Sequence, residues 1–255
     1  MTTAGDFAPV AATLRSEIEQ YFAGRGRDEG EQRLRMTIAT NSDLVERRAL
    51  PLVGMLAGAG LPSLAGVRLL DVGCGFGALA AYFAVHGAQV HAIDVNPSRF
   101  SVGRAVAARH DLAVTFHEGH MQDLPTFDEP FGVGIMNNTF CYLLGAGDRR
   151  AALTGVSRSL RPSGLLLVRE LNGWHPLDQF TGLPLLAMLA PQRASRVVRA
   201  LGMHRPDVRI ASPRALAGEL RSAGFADVRH LRDQPGRVAR LTRNLARYQH
   251  VIARK

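Results

Sequence analysis

The 255-residue chain holds two cysteines, one tryptophan and one lysine (Lys255), and it has no run of about eighteen apolar residues. Each shortage excludes something. Cys74 and Cys141 are too few for a disulfide framework, so a reducing, cytoplasmic setting is expected. With no long apolar run, no transmembrane helix is expected. The opening MTTAGDFAPV lacks the charged and apolar regions of a signal peptide. Aromatic residues make up 6% of the chain. The basic end of the chain has only Phe225 and Tyr248 for stacking on bases, which argues against nucleic acid as a partner.

What is present is a sizeable apolar fraction, 46%, and an uneven charge. Of the formal +9, residues 1–189 carry a net −2 and residues 190–255 a net +11. Every basic residue except Lys255 is arginine, a bias that a GC-rich genome produces with no functional cause. The asymmetry also permits a basic face that meets a membrane surface or a lipid-bearing or anionic substrate.

The early chain reads as helical. Ala11–Ala23 and Leu44–Ala59 are amphipathic, the second opened by a Ser42 or Asp43 cap, with a polar loop at 24–30 between them. From Val67 short β-rich runs alternate with helical ones. The segments are Val67–Val72, Ala78–His86, Gln89–Asp94, Pro97–His110, Val114–Glu118, Gly132–Met136, Arg149–Leu160 and Leu165–Glu170. That rhythm predicts a parallel sheet with helices on both faces, and such sheets bind ligands beyond the carboxyl ends of their strands. Residues 176–206 interrupt it with an excursion longer than ordinary connections, with a basic amphipathic stretch at Ala194–Leu201; it is read as a cap over a pocket, with contact to a membrane surface as the alternative. Ser212 as N-cap, Pro213 at the first position and Gly224 as terminator mark a helix over Ser212–Ala223. Phe225–Leu231 and Tyr248–Ala253 read as closing strands.

The strongest local signal is LLDVGCGFGALA, residues 69–80, followed by Asp94 at the end of the next strand. Glycines let the backbone approach a ligand, and the following helix offers free N–H groups. An acidic residue after the second strand can accept both ribose hydroxyls of an adenosine. Taken alone, the stretch fits two cofactors. Gly73, Gly75 and Ala78 satisfy the dinucleotide pattern, so a nicotinamide oxidoreductase is one reading. Asp71-x-Gly73-x-Gly75-x-Gly77 is the other.

The second form resembles motif I of the class I S-adenosylmethionine (SAM)-dependent methyltransferases. The likeness continues in EGHMQDLP (118–125), FGVGIMNNTFCYL (131–143), SLRPSGLLLV (159–168), and LRSAGFADVRHL with RYQHVIARK near the end. It implies a Rossmann-like, doubly wound, seven-stranded, mostly parallel sheet with a C-terminal antiparallel hairpin, plus a helical cap. The expected organisation is a helical cap at 1–62, a SAM-binding core at 63–175, an inserted cap at 176–206 and the remaining core at 207–255. It also implies a cofactor set: Asp71, Gly73, Cys74, Gly75, Gly77, Asp94, Val95, His120, Met121, Gln122, Asn137 and Asn138. S-adenosylhomocysteine would be the product. His120 stands where the family often has aspartate, which passes the adenine contact to the Met121 backbone or Gln122. Gly132 replaces another frequent aspartate, one of structural role.

Methyl transfer to a hydroxyl benefits from a base, and histidine is the commonest near neutral pH. Of nine histidines, His175 follows the strand that ends near Glu170, and Asp178 lies three residues on, where it could orient the imidazole. Trp174, Tyr142, Glu170 and Tyr21 are candidates to line the acceptor pocket. A second reading makes Trp174-His175-Pro176 a packing turn only. HEGH (117–120) has no acidic cluster beside it, so no metal is expected. The resulting expectation is methylation of a small-molecule hydroxyl on a specialised metabolite or sugar. Nitrogen or carbon acceptors, RNA, and a SAM-binding module without turnover remain as alternatives.

Overall fold

The computed structural model describes residues 6–23, 31–230 and 246–255. The loop expected at 24–30 and the strand end expected at Leu231 lie outside the described residues. Seven strands form one sheet in the order β3-β2-β1-β4-β5-β7-β6. They are β1 (Arg68–Val72), β2 (Gln89–Asp94), β3 (Val114–Glu118), β4 (Phe131–Asn137), β5 (Leu160–Leu171), β6 (Asp227–His230) and β7 (Tyr248–Arg254). The chain divides into two compact units. One comprises Met1–Met121 with Glu129–Val133, the other Gln122–Asp128 with Gly134–Lys255.

In the first unit β1 pairs in parallel with β2, and β2 with β3, so that Asp71 lies opposite Ala92 and Asp94 opposite Glu118. Parallel strands need crossover helices, and α4 (Ala78–Val85) and α5 (Phe100–Arg109) supply them. Helix α4 is apolar on every side, and Ala78–Phe83 are all buried, as expected of a helix enclosed in a core. Helix α1 (Ala8–Ala23) buries Val10, Thr13, Leu14 and Ile18, a stripe at helical spacing, and packs on α5.

The early helices differ from expectation. Between α1 and α3 (Val45–Gly58) lies an additional helix, α2 (Glu31–Asn41). Its sequence, EQRLRMTIATN, is too polar for a clear apolar stripe. Ser42 does not open α3. Its hydroxyl donates to Ile38 O at 2.7 Å, and Leu44 occupies the N-cap position with no side-chain bond. Asp43 instead pairs with Arg15 on α1.

In the second unit β7 runs antiparallel to both β5 and β6, the expected hairpin arrangement. Helix α6 (Ala146–Ser159) precedes β5, which begins five residues earlier than its apolar run. Helix α8 (Pro213–Ser222) starts as expected: Ser212 Oγ accepts the Ala215 N–H at 3.3 Å, and Gly224 takes a left-handed φ of +94°. The 176–206 excursion contains one bridge (Leu177 with Pro184), a single 3-10 turn at Leu186–Met188 and helix α7 (Pro191–Ala200). Among the described residues no helix is long and apolar enough to cross a membrane.

Candidate functional site

The first unit holds the glycine loop. After β1 the chain turns through Gly73, Gly75 and Gly77 at φ of +79°, +58° and +78°. These are left-handed conformations that disfavour a side chain. Gly77 is restricted twice, because a Cβ there would stand 2.7 Å from the Phe116 ring. The loop is tied to β2. The N–H groups of Gly73 and Cys74 both donate to Ile93 O, at 2.7 and 3.0 Å.

Asp94 completes the tie. One carboxylate oxygen accepts the Gly75 N–H at 2.9 Å and the other the Asn96 N–H at 3.0 Å. From there a chain of contacts reaches α1. Ser98 Oγ donates to Asn96 Oδ1 at 2.6 Å, and Tyr21 Oη lies 3.0 Å from Ser98 Oγ. Tyr21 also meets Phe76 and Phe22 edge-on, with centroids 5.2 Å away in each case. Tyr21 is therefore a wall of the glycine loop. Sequence reasoning passed over Asn96 and Ser98, although Asn-Pro-Ser after a strand is a helix-opening pattern.

Asp71 is 2% exposed, and its Oδ2 has no hydrogen-bond partner among the described residues. Burial, then the charge of Asp94, pushes its carboxyl up to about 7, while Arg48 pulls it down. A buried carboxylate oxygen with no donor is costly to leave unmet. Burial also raises the Cys74 thiol, which keeps it un-ionised and unsuited to nucleophilic work. An orphaned acceptor, a second carboxylate fixed by the loop and three left-handed glycines fit an adenosine-bearing ligand with a cationic group. Val95 and His120 are exposed, and Met121 is half-buried. His91 and His117 stack on one another with ring nitrogens 3.0 Å apart, and burial lowers both.

In the second unit Gln122 is half-buried. The chain leaves β4 through Asn138, whose φ of +53° is left-handed and whose buried Oδ1 has no partner among the described residues. The Asn138 N–H donates to Arg169 O at 2.8 Å, and Arg169 donates to Asn137 Oδ1 at 3.2 Å. Glu170 faces the interior beside Phe140, Cys141 and Arg149. It is 4% exposed, and Oε1 accepts the N–H groups of Thr139 and Phe140 at 2.8 and 2.7 Å. It holds the turn that presents Tyr142, which is 54% exposed. Burial raises the Glu170 carboxyl, opposed by those two N–H groups, the Cys141 thiol and Arg149.

RELNGWHPLD (169–178) forms an ordered turn after β5. Asn172 Oδ1 accepts the Trp174 N–H at 3.0 Å, and Asn172 O accepts the His175 N–H at 3.0 Å. Trp174 is half-buried, with the Arg214 guanidinium 5.7 Å from its ring. The expected pairing of Asp178 with His175 is not formed. Asp178 is 2% exposed, and its Oδ2 accepts from Arg205 Nε at 2.9 Å. Its Oδ1 accepts from the Phe180 N–H, the Thr181 N–H and the Thr181 hydroxyl. The carboxylate is saturated by its own turn and by an arginine 27 residues away. His175 turns instead to the backbone, with Nδ1 2.7 Å from Leu177 O. Among the described residues no group of three or more His, Cys, Asp or Glu could hold a metal.

A family profile described as a methyltransferase domain matches residues 69–164. A ubiquinone biosynthesis O-methyltransferase from Xanthomonas euvesicatoria is 31% identical over 186 residues, covering 72% of this chain and 71% of that protein. The O-methyltransferase resE of Aspergillus sclerotiorum is 34% identical over 117 residues. That match spans 45% of this chain and less than half, 43%, of the relative. A solved S-adenosylmethionine-dependent methyltransferase from Mesorhizobium loti superposes with a TM-score of 0.60 at 18% identity, over 79% of this chain and 96% of that one. With the glycine loop, the two carboxylates and the antiparallel hairpin, these likenesses settle the family: the chain belongs to the class I S-adenosylmethionine-dependent methyltransferases and is an enzyme of that family.

Proposed function

We propose that the enzyme methylates a hydroxyl of a small molecule, on a specialised metabolite, a sugar or a lipid-bearing acceptor, in the cytoplasm. The observation that carries the reading is the state of His175. His175 Nδ1 lies 2.7 Å from Leu177 O, and we assign the proton to Nδ1, which makes it the donor to that carbonyl. The Leu177 N–H lies farther, 3.2 Å from Nδ1, and is the weaker contact. In the neutral ring Nε2 then carries the lone pair. A backbone carbonyl fixes the tautomer in place of the aspartate expected from sequence.

When bound, SAM supplies an electrophilic methyl on a sulfonium and leaves as S-adenosylhomocysteine. Asp71 would hold the methionine ammonium, Asp94 the ribose hydroxyls, and the Gly73–Gly77 backbone the methionine part. In the first unit Val95, His120 and Met121 would border the adenine. Nε2 of His175 would take the acceptor hydroxyl's proton. In the second unit Trp174 and Tyr142 would line the acceptor side, and the 176–206 segment would serve as a cap that excludes water.

His175→Ala is expected to lower kcat by roughly a hundredfold while the affinity for SAM is kept. Steady-state turnover with calorimetric titration separates the two, and unchanged kcat rules out the base. A pH effect follows from Asp71, whose carboxyl lies near 7 because burial favours the neutral form. Only the ionised form pairs with an ammonium, so affinity is lost as pH falls through about 7. SAM affinity is expected to drop by about tenfold from about pH 8 to about pH 6. Asp71→Asn should bind weakly at both.

A further inference from the structure

The 176–206 segment exposes more apolar surface than a cap needs. Leu185, Met188 and Leu189 are 55%, 57% and 41% exposed, and Val197 and Leu201 on and after α7 are 41% and 57% exposed. Isolated exposed leucines are ordinary, but so many within seventeen residues point to a contact surface. The segment is built rather than loose. Leu186 packs with Ala194, Val198 and Leu183. The Asp178–Arg205 pair, nearly fully buried on both sides, ties the start of the excursion to its end.

Leu185 adds a second observation. Its φ of +58° is left-handed, an uncommon conformation for a bulky side chain. The backbone enforces it. The Leu185 N–H donates to Pro176 O at 2.7 Å, and Leu185 O accepts the Met188 N–H at 3.0 Å. A strained residue held with its apolar side chain in solvent is the pattern of a functional site.

The charge around it has one sign. From Gln179 to Pro206 there is no acidic residue. Arg193, Arg196 and Arg199 are all exposed, and their spacing of three sets them on the side of α7 opposite the buried Ala194 and Val198. The next acid, Asp207, is engaged by the Ser195 hydroxyl at 2.5 Å.

We propose that this face docks on an anionic lipid surface, with Leu185, Met188 and Leu189 entering the headgroup boundary and the three arginines meeting lipid phosphates. Apolar insertion and basic attraction are each weak alone and together give reversible binding. The inference deepens the small-molecule reading, because an enzyme seated on a membrane can draw an acceptor with a lipid tail from it. The docking itself does not require methyl transfer.

The test is co-sedimentation of the full chain with phosphatidylcholine vesicles, with and without phosphatidylglycerol. Binding is expected only with phosphatidylglycerol and should be lost at high salt. Arg193→Gln/Arg196→Gln/Arg199→Gln should weaken it on the order of a hundredfold. Leu185→Ser/Met188→Ser/Leu189→Ser should weaken it as well. Titration with S-adenosylhomocysteine shows that each variant is folded, and it fails in the wild type only if the methyltransferase reading itself fails. Absence of vesicle binding in the wild type overturns the proposal. So does self-association that the leucine variant abolishes while no vesicle is bound, which would make the face a protein interface.

Discussion

Asp94→Ala is expected to lower the affinity for S-adenosylhomocysteine by on the order of a hundredfold or more. The side chain has two duties. Its oxygens accept the N–H groups of Gly75 and Asn96, at 2.9 and 3.0 Å, and so hold the glycine loop against the end of β2. In the proposed binding mode its remaining lone pairs meet the two ribose hydroxyls. Each hydrogen bond to a charged acceptor contributes about 1.5–3 kcal/mol, and alanine removes the organiser and the ligand contact together. Asp94→Asn keeps one acceptor oxygen and should fall between. Calorimetric titration measures all three. Wild-type affinity in the alanine variant would mean that the ligand lies elsewhere.

Arg205→Leu is expected to destabilise the fold by about 3–5 kcal/mol. The arginine and Asp178 side chains are 2% and 0% exposed, so removing the cation strands a carboxylate in the interior. The cost comes from the unpaired charge more than from the lost contact. A second change, Asp178→Asn, removes that charge and leaves an acceptor for the Phe180 and Thr181 N–H groups. The double variant should therefore recover much of the loss. Urea midpoints with unchanged slopes are the readout. Equal loss in the single and double variants would show that the pair acts through packing alone. The arginine triple variant leaves Arg205 intact, so its vesicle binding is separable from this stability effect.

The features legible in the sequence were those written in local chemistry. Ser212, Pro213 and Gly224 bracket α8 because capping is settled within a few residues. The three glycines marked a turn because each needs a left-handed φ. Helix α2 was missed because its polar sequence carries no apolar period. Two carboxylates show what spacing in the chain cannot give. Asp178 sits three residues from His175, and spacing suggested a pair, but a buried carboxylate takes the partner that satisfies it best. That partner is Arg205, one of many arginines that no spacing rule singles out. Glu170 looked like a rim residue because it closes an apolar strand. Its carboxylate turns inward because the Thr139 and Phe140 N–H groups need an acceptor. In both cases long-range hydrogen bonding overrode proximity in the chain. His175 kept an orienting acceptor only because its own turn supplies a carbonyl two residues on.

The central claim is that the Gly73–Gly77 loop with Asp71 and Asp94 holds SAM rather than a dinucleotide. Calorimetric titration of the wild-type chain with S-adenosylhomocysteine and, separately, with NAD tests it most directly. The account expects saturable binding of S-adenosylhomocysteine, weakened by Asp94→Ala, and no heat from NAD. Binding of NAD with none of S-adenosylhomocysteine would contradict it.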